Sequence, residues 1–167
     1  MGRSPLFRVV LVEPEIPNNT GNIGRTCVAT GCALHLIHPL GFDTSEKACR
    51  RAGLDYWPRL GVREHDSFDE FTREHPATRL WLFSTHARRL YFDADLRAGD
   101  ALVFGKETRG LGPDLLARYA DRTLTMPMVV GERSLNLATA VCAVVYEGVR
   151  QACARGEITI DPNGRLT

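Results

Sequence analysis

The sequence predicts an α/β fold, a mostly parallel sheet flanked by helices. Short apolar runs alternate with helical segments along the whole chain, the order expected when both faces of a parallel sheet are covered. Three of these runs lead into polar loops, bearing Gly with Asn, Thr or Ser, that open the next helix. The chain has 167 residues, 44% apolar and 25% charged, which suits one domain with a sizeable core.

The first strand is predicted at 7–12, where Phe7-Arg8-Val9-Val10-Leu11-Val12 reads as buried. A polar loop from Pro14 to Arg25 follows, handing over to a helix at 20–30 that ends at Gly31. Leu34-His35-Leu36-Ile37-His38 predicts a strand at 34–38, followed by a helix at 45–53. Ser67 and Glu70 have capping-box spacing before Phe71 and open a helix at 67–74. Strands are predicted at 80–84, 101–104 and 123–126. Pro113 suits the first turn of a helix at 113–119, where its missing N–H costs little. The last helix, 134–153, carries a stripe of Leu137, Val141, Val144, Val145 and Val149 that Ala138, Ala140 and Ala143 widen. A helix apolar on most sides must be covered on most sides, either by the domain wrapping it or by a second subunit, and the sequence predicts a homodimer using it. The domain is predicted to run over 1–156. The remaining 157–167, with Ile158, Ile160 and Pro162, reads as a short extended tail.

Composition excludes several classes. No apolar run approaches the ~20 residues of a membrane span, so no membrane partner is expected. The N-terminus lacks the apolar stretch of a secretory signal, and Leu6 stands where the myristoylation pattern requires Ser or Thr; a cytoplasmic location is expected. Five cysteines without C-x-x-C spacing read as small buried hydrophobes rather than a metal or redox site. His35 and His38 belong to an apolar strand and read as structural, while His65, His75 and His86 have no evident partners. A net charge of +1 does not announce a nucleic-acid binder, although Arg50-Arg51, Arg88-Arg89 and Arg118 with Arg122 form local basic groups.

The two later polar loops are Phe104-Gly105-Lys106-Glu107-Thr108-Arg109-Gly110-Leu111-Gly112 and the stretch from Met126 to Leu137, in which Ser134 or Asn136 is placed to cap the last helix. Loops at the C-terminal ends of parallel strands share one edge, where ligands bind. The P-loop and the complete dinucleotide fingerprint are absent, which counts against a small nucleotide-binding Rossmann protein. No metal-ligand spacing or G-x-S-x-G elbow appears, so neither a metal nor a hydrolase triad is expected. What remains is glycine backbone with Asn19, Arg25, Glu107, Ser134 and Asn136, a set suited to a neutral or cationic nucleoside ligand and a proton transfer.

These loops resemble the motifs of the SPOUT superfamily of RNA methyltransferases, whose cofactor is S-adenosylmethionine. The residues that carry the resemblance run from Glu13 to Arg25, from Phe104 to Leu111, and through Met126-Pro127-Met128, Arg133-Ser134-Leu135-Asn136-Leu137 and Tyr146-Glu147. Arg51-Ala52-Gly53-Leu54-Asp55-Tyr56 is a further similar stretch. Within the superfamily the chain resembles the short TrmL-type enzymes that methylate the ribose 2′-OH of the wobble cytidine or uridine in tRNA anticodon loops. The resemblance implies a C-terminal deep trefoil knot, a homodimer, and an anticodon stem-loop as partner. It places Phe83, Gly105, Met126, Ser134 and Leu135 around the cofactor, and Asn19, Arg25, Glu107 and Asn136 around the acceptor ribose. Leu135 stands where relatives often have Met, a volume-conserving change.

The implied reaction is attack of a ribose oxygen on a sulfonium methyl, which needs alignment and removal of a hydroxyl proton but no metal. Arg25 is the family's usual candidate for activating that hydroxyl. A guanidinium is a poor base, so stabilisation of the developing alkoxide, or a grip on phosphate, suits Arg25 better; Glu107 is then placed to orient it or to take the proton. The same reaction at another tRNA or rRNA position, and a non-catalytic knotted RNA-binding protein, are the alternatives. Retention of Asn19, Arg25, Glu107, Ser134 and Asn136 counts against the second.

Overall fold

The computed structural model describes residues 4–51 and 53–167, with the side chains of all of these except Glu46 and Arg50. Met1, Gly2 and Arg3, Ala52 of the 51–56 stretch, and the Arg50 side chain of the Arg50-Arg51 pair therefore lie outside the described residues. The strands are β1 (Arg8–Val12), β2 (Ala33–Ile37), β3 (Arg63–His65), β4 (Leu80–Phe83), β5 (Ala101–Phe104) and β6 (Thr123–Leu124). The helices are α1 (Pro17–Thr30), α2 (Glu46–Arg51), α3 (Trp57–Leu60), α4 (Phe68–Glu74), α5 (Pro113–Arg118) and α6 (Leu137–Ala154). The six strands form one sheet in the order β3-β2-β1-β5-β4-β6, and every pairing is parallel.

Strand alternation decides the two faces. Phe7, Val9 and Leu11, with Leu34, Leu36, Leu102 and Phe104, pack against Ile23 and Cys27 of α1 and Val141, Val144, Val145 and Val149 of α6. Val10, Ile37, Leu82 and Val103 face the other way, onto Phe68 and Phe71 of α4 and Leu115 and Leu116 of α5. Full burial of such a side chain stabilises by roughly 1.5–3 kcal/mol, so this layering is the main force holding the loops in place.

Several expected elements change. The helix expected at 20–30 begins at Pro17, so most of the expected loop is helix. Proline is preorganised for that first turn, and the cap comes from a distant carboxylate described below. Gly31, at φ 70°, ends α1 in the left-handed conformation, as expected. The last helix starts at Leu137 rather than 134, because Asn136 is its N-cap and accepts from Thr139 N at 3.2 Å. Ser67 caps α4 by accepting from Glu70 N at 3.1 Å. The Glu70 side chain reaches Asp66 N instead of closing the box on Ser67. The strand expected at 123–126 is only two residues long. The short β3 and α3 were not expected. The tail does not extend freely: Ile160 bridges Leu166 across a turn, and Ile158 and Leu166 pack on the α1–α6 core.

Candidate active site

The C-terminal edge of the sheet brings the motif loops together. Glu107 accepts from Glu15 N at 2.9 Å, Ile16 N at 3.2 Å and Asn19 Nδ2 at 3.0 Å. Ile16, the N-cap of α1, supplies no side-chain cap of its own. A carboxylate from the β5 loop thus accepts the N–H of the N-cap residue Ile16 and of Glu15 before it, and sits at the favourable end of the α1 dipole. The Asn19 carbonyl accepts from Asn136 Nδ2 at 3.0 Å. One continuous network, Glu107–Asn19–Asn136, therefore ties together the three motifs.

A second set of contacts clamps the same loops. Lys106 Nζ meets Glu13 Oε2 at 2.5 Å, and Glu15 accepts from Thr108 N and Oγ1, each at 3.1 Å. Glu13 takes φ 52°, the one positive φ outside glycine among the described residues. The left-handed region disfavours a β-carbon, so the Lys106 contact holds a strained turn where β1 hands over to α1.

Arg25 stands apart from this network. Its guanidinium lies over the Tyr56 ring, 4.6 Å from the centroid, and no hydrogen bond joins it to Glu107 among the described residues. The expectation that Glu107 orients Arg25 is thus replaced by a Tyr56 contact. Burial pushes the Tyr56 phenol up, against the pull of Arg25, and its hydroxyl donates to the Gly21 carbonyl. Gly21 and Gly24 lie against this packing. A β-carbon at Gly24 would stand 2.8 Å from Leu60 Cδ2 and 3.3 Å from Trp57 Cζ3. Tyr56 is thus a site residue that the sequence signalled only as part of the 51–56 stretch.

The positions expected around a cofactor leave the sheet side by side. Phe83 of β4 pairs in register with Phe104 of β5 and Leu124 of β6, and the Phe83 and Phe104 rings stack at 4.6 Å. Adjacent strands lie ~4.8 Å apart, so the backbones at Gly105 and Met126 emerge within about 10 Å of each other, the scale of a nucleoside. Ser134 and Leu135 are exposed in the segment before α6, tethered to this edge by Asn136 next to them. Gly105 lacks a β-carbon for an internal reason: one would stand 2.1 Å from the Gly110 carbonyl carbon. Beside the first turns of α1, a cavity of about 460 Å³ is lined by Asn18, Asn22, Phe42, Leu54 and Trp57. Thr20 also lines it, and its hydroxyl is buried without a hydrogen-bond partner among the described residues.

The histidines also depart from expectation. His65 has a hydrogen-bond partner after all, His35 Nδ1 meeting its Nε2 at 2.9 Å, whereas His75 only packs edge-on against His35. His38 Nε2 meets Glu64 at 2.8 Å. Cys27, Cys32 and Cys49 are buried free thiols, and Cys142 and Cys153 are half-buried.

A parallel sheet with an amide–carboxylate network across three loops at its C-terminal edge defines an α/β protein whose polar motif loops meet at one site. The chain belongs to the SpoU rRNA methylase family, whose pattern matches residues 6–146. It is 47% identical over 147 residues to a tRNA (cytidine(34)-2'-O)-methyltransferase of Saccharophagus degradans, covering 87% of this chain and 96% of the relative. It is also 47% identical over 154 residues to the enzyme of the same name from Burkholderia pseudomallei, covering 90% and 99%. A solved structure described as giving insight into 2-OH methylation of C/U34 on tRNA superposes with a TM-score of 0.82 at 47% identity, covering 89% of this chain and 97% of that one. The SpoU methyltransferase AviRb from Streptomyces viridochromogenes, solved with AdoMet, superposes at 0.77 with 27% identity, covering 92% and 60%.

Proposed function

We propose that this protein methylates the ribose 2′-OH of the wobble cytidine or uridine in tRNA anticodon loops, using S-adenosylmethionine. The observation that carries the reading is the Glu107–Asn19–Asn136 network, which unites the three motif loops beside the ends of β4, β5 and β6. The similarity to relatives named for cytidine 34 of tRNA, over 87–90% of the chain, supports the substrate.

S-adenosylmethionine supplies a methyl group activated by its sulfonium. Phe83, Gly105, Met126, Ser134 and Leu135 are the residues proposed to hold it. The aromatic stack packs one wall, and the backbones at 105 and 126 offer N–H and C=O groups to adenine and ribose. Asn19 and Asn136 position the acceptor ribose. Glu107 holds the start of α1 against the β5 loop and is the carboxylate available to take the hydroxyl proton. Arg25, aimed by the Tyr56 ring, stabilises the developing alkoxide. The cavity lined by Phe42, Trp57, Asn18 and Asn22 gives an unpaired base an aromatic surface with amides at its rim, the usual way single-stranded RNA is read.

The finer architecture belongs to the same proposal. The domain runs over 1–156 with a tail at 157–167, its C-terminal part is threaded as a trefoil knot, and it acts in the cytoplasm as a homodimer. The return of the chain from β6, beside β4, to α6 against α1 supports the threading. Tyr146 of α6 and Ile16, Val129 and Val130 of the motif segments are exposed, which supports a second copy as their cover. Light scattering with size exclusion should give twice the 18.6 kDa chain mass; a monomer at micromolar concentration would remove the dimer.

The deciding experiment is transfer of labelled methyl to tRNA from a strain deleted for the gene, with the product mapped by nuclease digestion and mass spectrometry. Ribose methylation at the wobble nucleotide is expected. Methylation elsewhere would change the substrate, and no transfer despite tight S-adenosylhomocysteine binding would point to a missing prior modification, a different RNA, or the RNA-binding alternative.

A further inference from the structure

We propose that the cavity at the N-terminal edge of the sheet, lined by Arg8, Arg59, Arg63, His35 and His75, is a binding site for a phosphate group. Arg8 opens β1 and Arg63 opens β3, with β2 and its His35 between them. The cavity therefore lies at the opposite edge from the motif loops. Five strand residues at ~3.3 Å each separate the two edges by about 16 Å.

The charge arrangement carries the inference. The cavity, about 400 Å³, has three guanidiniums and two imidazoles in its lining and no carboxylate. Arg8 donates to the Gly99 carbonyl at 2.8 Å. Among the described residues neither Arg59 nor Arg63 makes an ion pair or a side-chain hydrogen bond, and both are exposed at the rim. Glu74 contacts His65 Nδ1 at 3.5 Å but is not part of the lining. His75 Nε2 is buried and has no hydrogen-bond partner among the described residues.

Such a cluster is self-repelling. Burial first, and then His65, His75, Arg8 and Arg63, push His35 down to about 3. Burial and Arg63 lower Arg8 as well. The cations are the three guanidiniums, and the one carboxylate acting on the cluster among the described residues, Glu74, bears on His75 from outside the lining. An anion between the arginines offsets their charge, and the planar guanidinium fork matches phosphate oxygens in pairs. The unpartnered His75 nitrogen adds an imidazole to the same wall. The phosphate has two possible sources, the backbone of bound RNA or a free phosphorylated molecule. Only the RNA source rests on the tRNA reading above.

The test titrates inorganic phosphate into the full chain at fixed ionic strength, with chloride as the balancing salt, and follows the histidine ring signals by NMR. Saturable shifts of the His35 and His75 signals are expected. The Arg59→Ala/Arg63→Ala double variant, whose changes fall on exposed side chains, should weaken the midpoint by about tenfold or more, the scale of lost charge-assisted hydrogen bonds. Arg59→Lys/Arg63→Lys should recover part of the binding. Shifts that do not saturate, or that are equal in wild type and the alanine variant, overturn the site. With phosphate binding established, a raised KM for tRNA at unchanged kcat in the alanine variant assigns the phosphate to the RNA backbone, and an unchanged KM assigns it to a free phosphorylated molecule. Failure of methyl transfer itself would leave the phosphate titration intact, so the two readings fail separately.

Discussion

Asn19 Nδ2 donates to Glu107 Oε1 across 3.0 Å, joining the first turn of α1 to a loop 88 residues later in the chain. The Asn19 amide is 6% exposed and bonded at both ends, so replacing it leaves buried groups unpaired. Asn19→Asp sets a carboxylate against Glu107 and should destabilise by about 1–3 kcal/mol, read from urea unfolding. Methyl transfer should fall by more than the lost folded fraction explains. Wild-type turnover in this variant would remove the network from the site.

Glu107 caps a helix as well as lining the site, and its two roles separate by substitution. Glu107→Gln keeps one acceptor but sets an amide N–H against backbone N–H donors and removes the charge at the start of α1. A loss of about 1–2 kcal/mol is expected from the cap alone. If the carboxylate also takes the ribose proton, kcat should drop by a further 10²-fold or so. Stability loss with unchanged kcat in the surviving folded enzyme would leave Glu107 as a cap only.

The Tyr56–Arg25 contact predicts a graded series. Tyr56→Phe keeps the ring under the guanidinium and loses the hydroxyl bond to Gly21, which should cost about 1 kcal/mol of stability with little change in kcat. Tyr56→Leu removes the aromatic face and should lower kcat while leaving cofactor affinity intact. Arg25→Lys keeps the charge but not the planar fork and should lose most of kcat. Equal kcat in the phenylalanine and leucine variants would show that the ring does not aim Arg25.

The sheet and its layering were legible because β1, β2, β4 and β5 are dominated by apolar runs, whereas β6 is only Thr123-Leu124. The missing strand, Arg63-Glu64-His65, is a three-residue polar edge whose place is set by its neighbour β2. The early start of α1 was hidden for a different reason. Asn, Thr and Gly are weak helix formers, and their cap, Glu107, is 91 residues from Ile16. The site residues were legible as motifs, but their wiring was not. Nothing local reveals that Glu107 bonds Asn19 or that Arg25 rests on Tyr56. His35 and His65 are likewise 30 residues apart, and only the β2–β3 pairing brings them together.

His35, buried, and His75, half-buried, give the chain an acid-sensitive stability. Burial and neighbouring cations hold His35 at about 3, well below 6.5, and lower His75 in the same direction. The unfolded chain therefore binds more protons than the folded one between about pH 6.5 and 3, and stability falls as pH drops through that window. One such group gives a slope of roughly 1.4 kcal/mol per pH unit at its steepest. Urea unfolding from pH 8 to 4 should show this acid limb, and the His35 ring should remain neutral by NMR at pH 5. A protonated His35 at that pH would remove it as the cause.

Two glycines in the motifs predict opposite tolerances. The β-carbon of Gly24→Ala would press on Leu60 Cδ2 at 2.8 Å, the end of a flexible side chain that can move at a cost of about 1–3 kcal/mol. At Gly105 the obstacle is backbone. A β-carbon would stand 2.1 Å from Gly110 carbon and 2.2 Å from Leu111 nitrogen, and the loop is closed there by Gly110 N donating to Lys106 O at 2.8 Å. Gly105→Ala must therefore open the loop that carries Glu107, which in turn holds α1. Thermal melts with S-adenosylhomocysteine separate the two cases. Gly24→Ala should melt lower but keep the ligand-induced rise, whereas Gly105→Ala should lose the rise along with methyl transfer. A Gly105→Ala variant that still binds S-adenosylhomocysteine as tightly as wild type would mean that the closed loop does not shape the cofactor site.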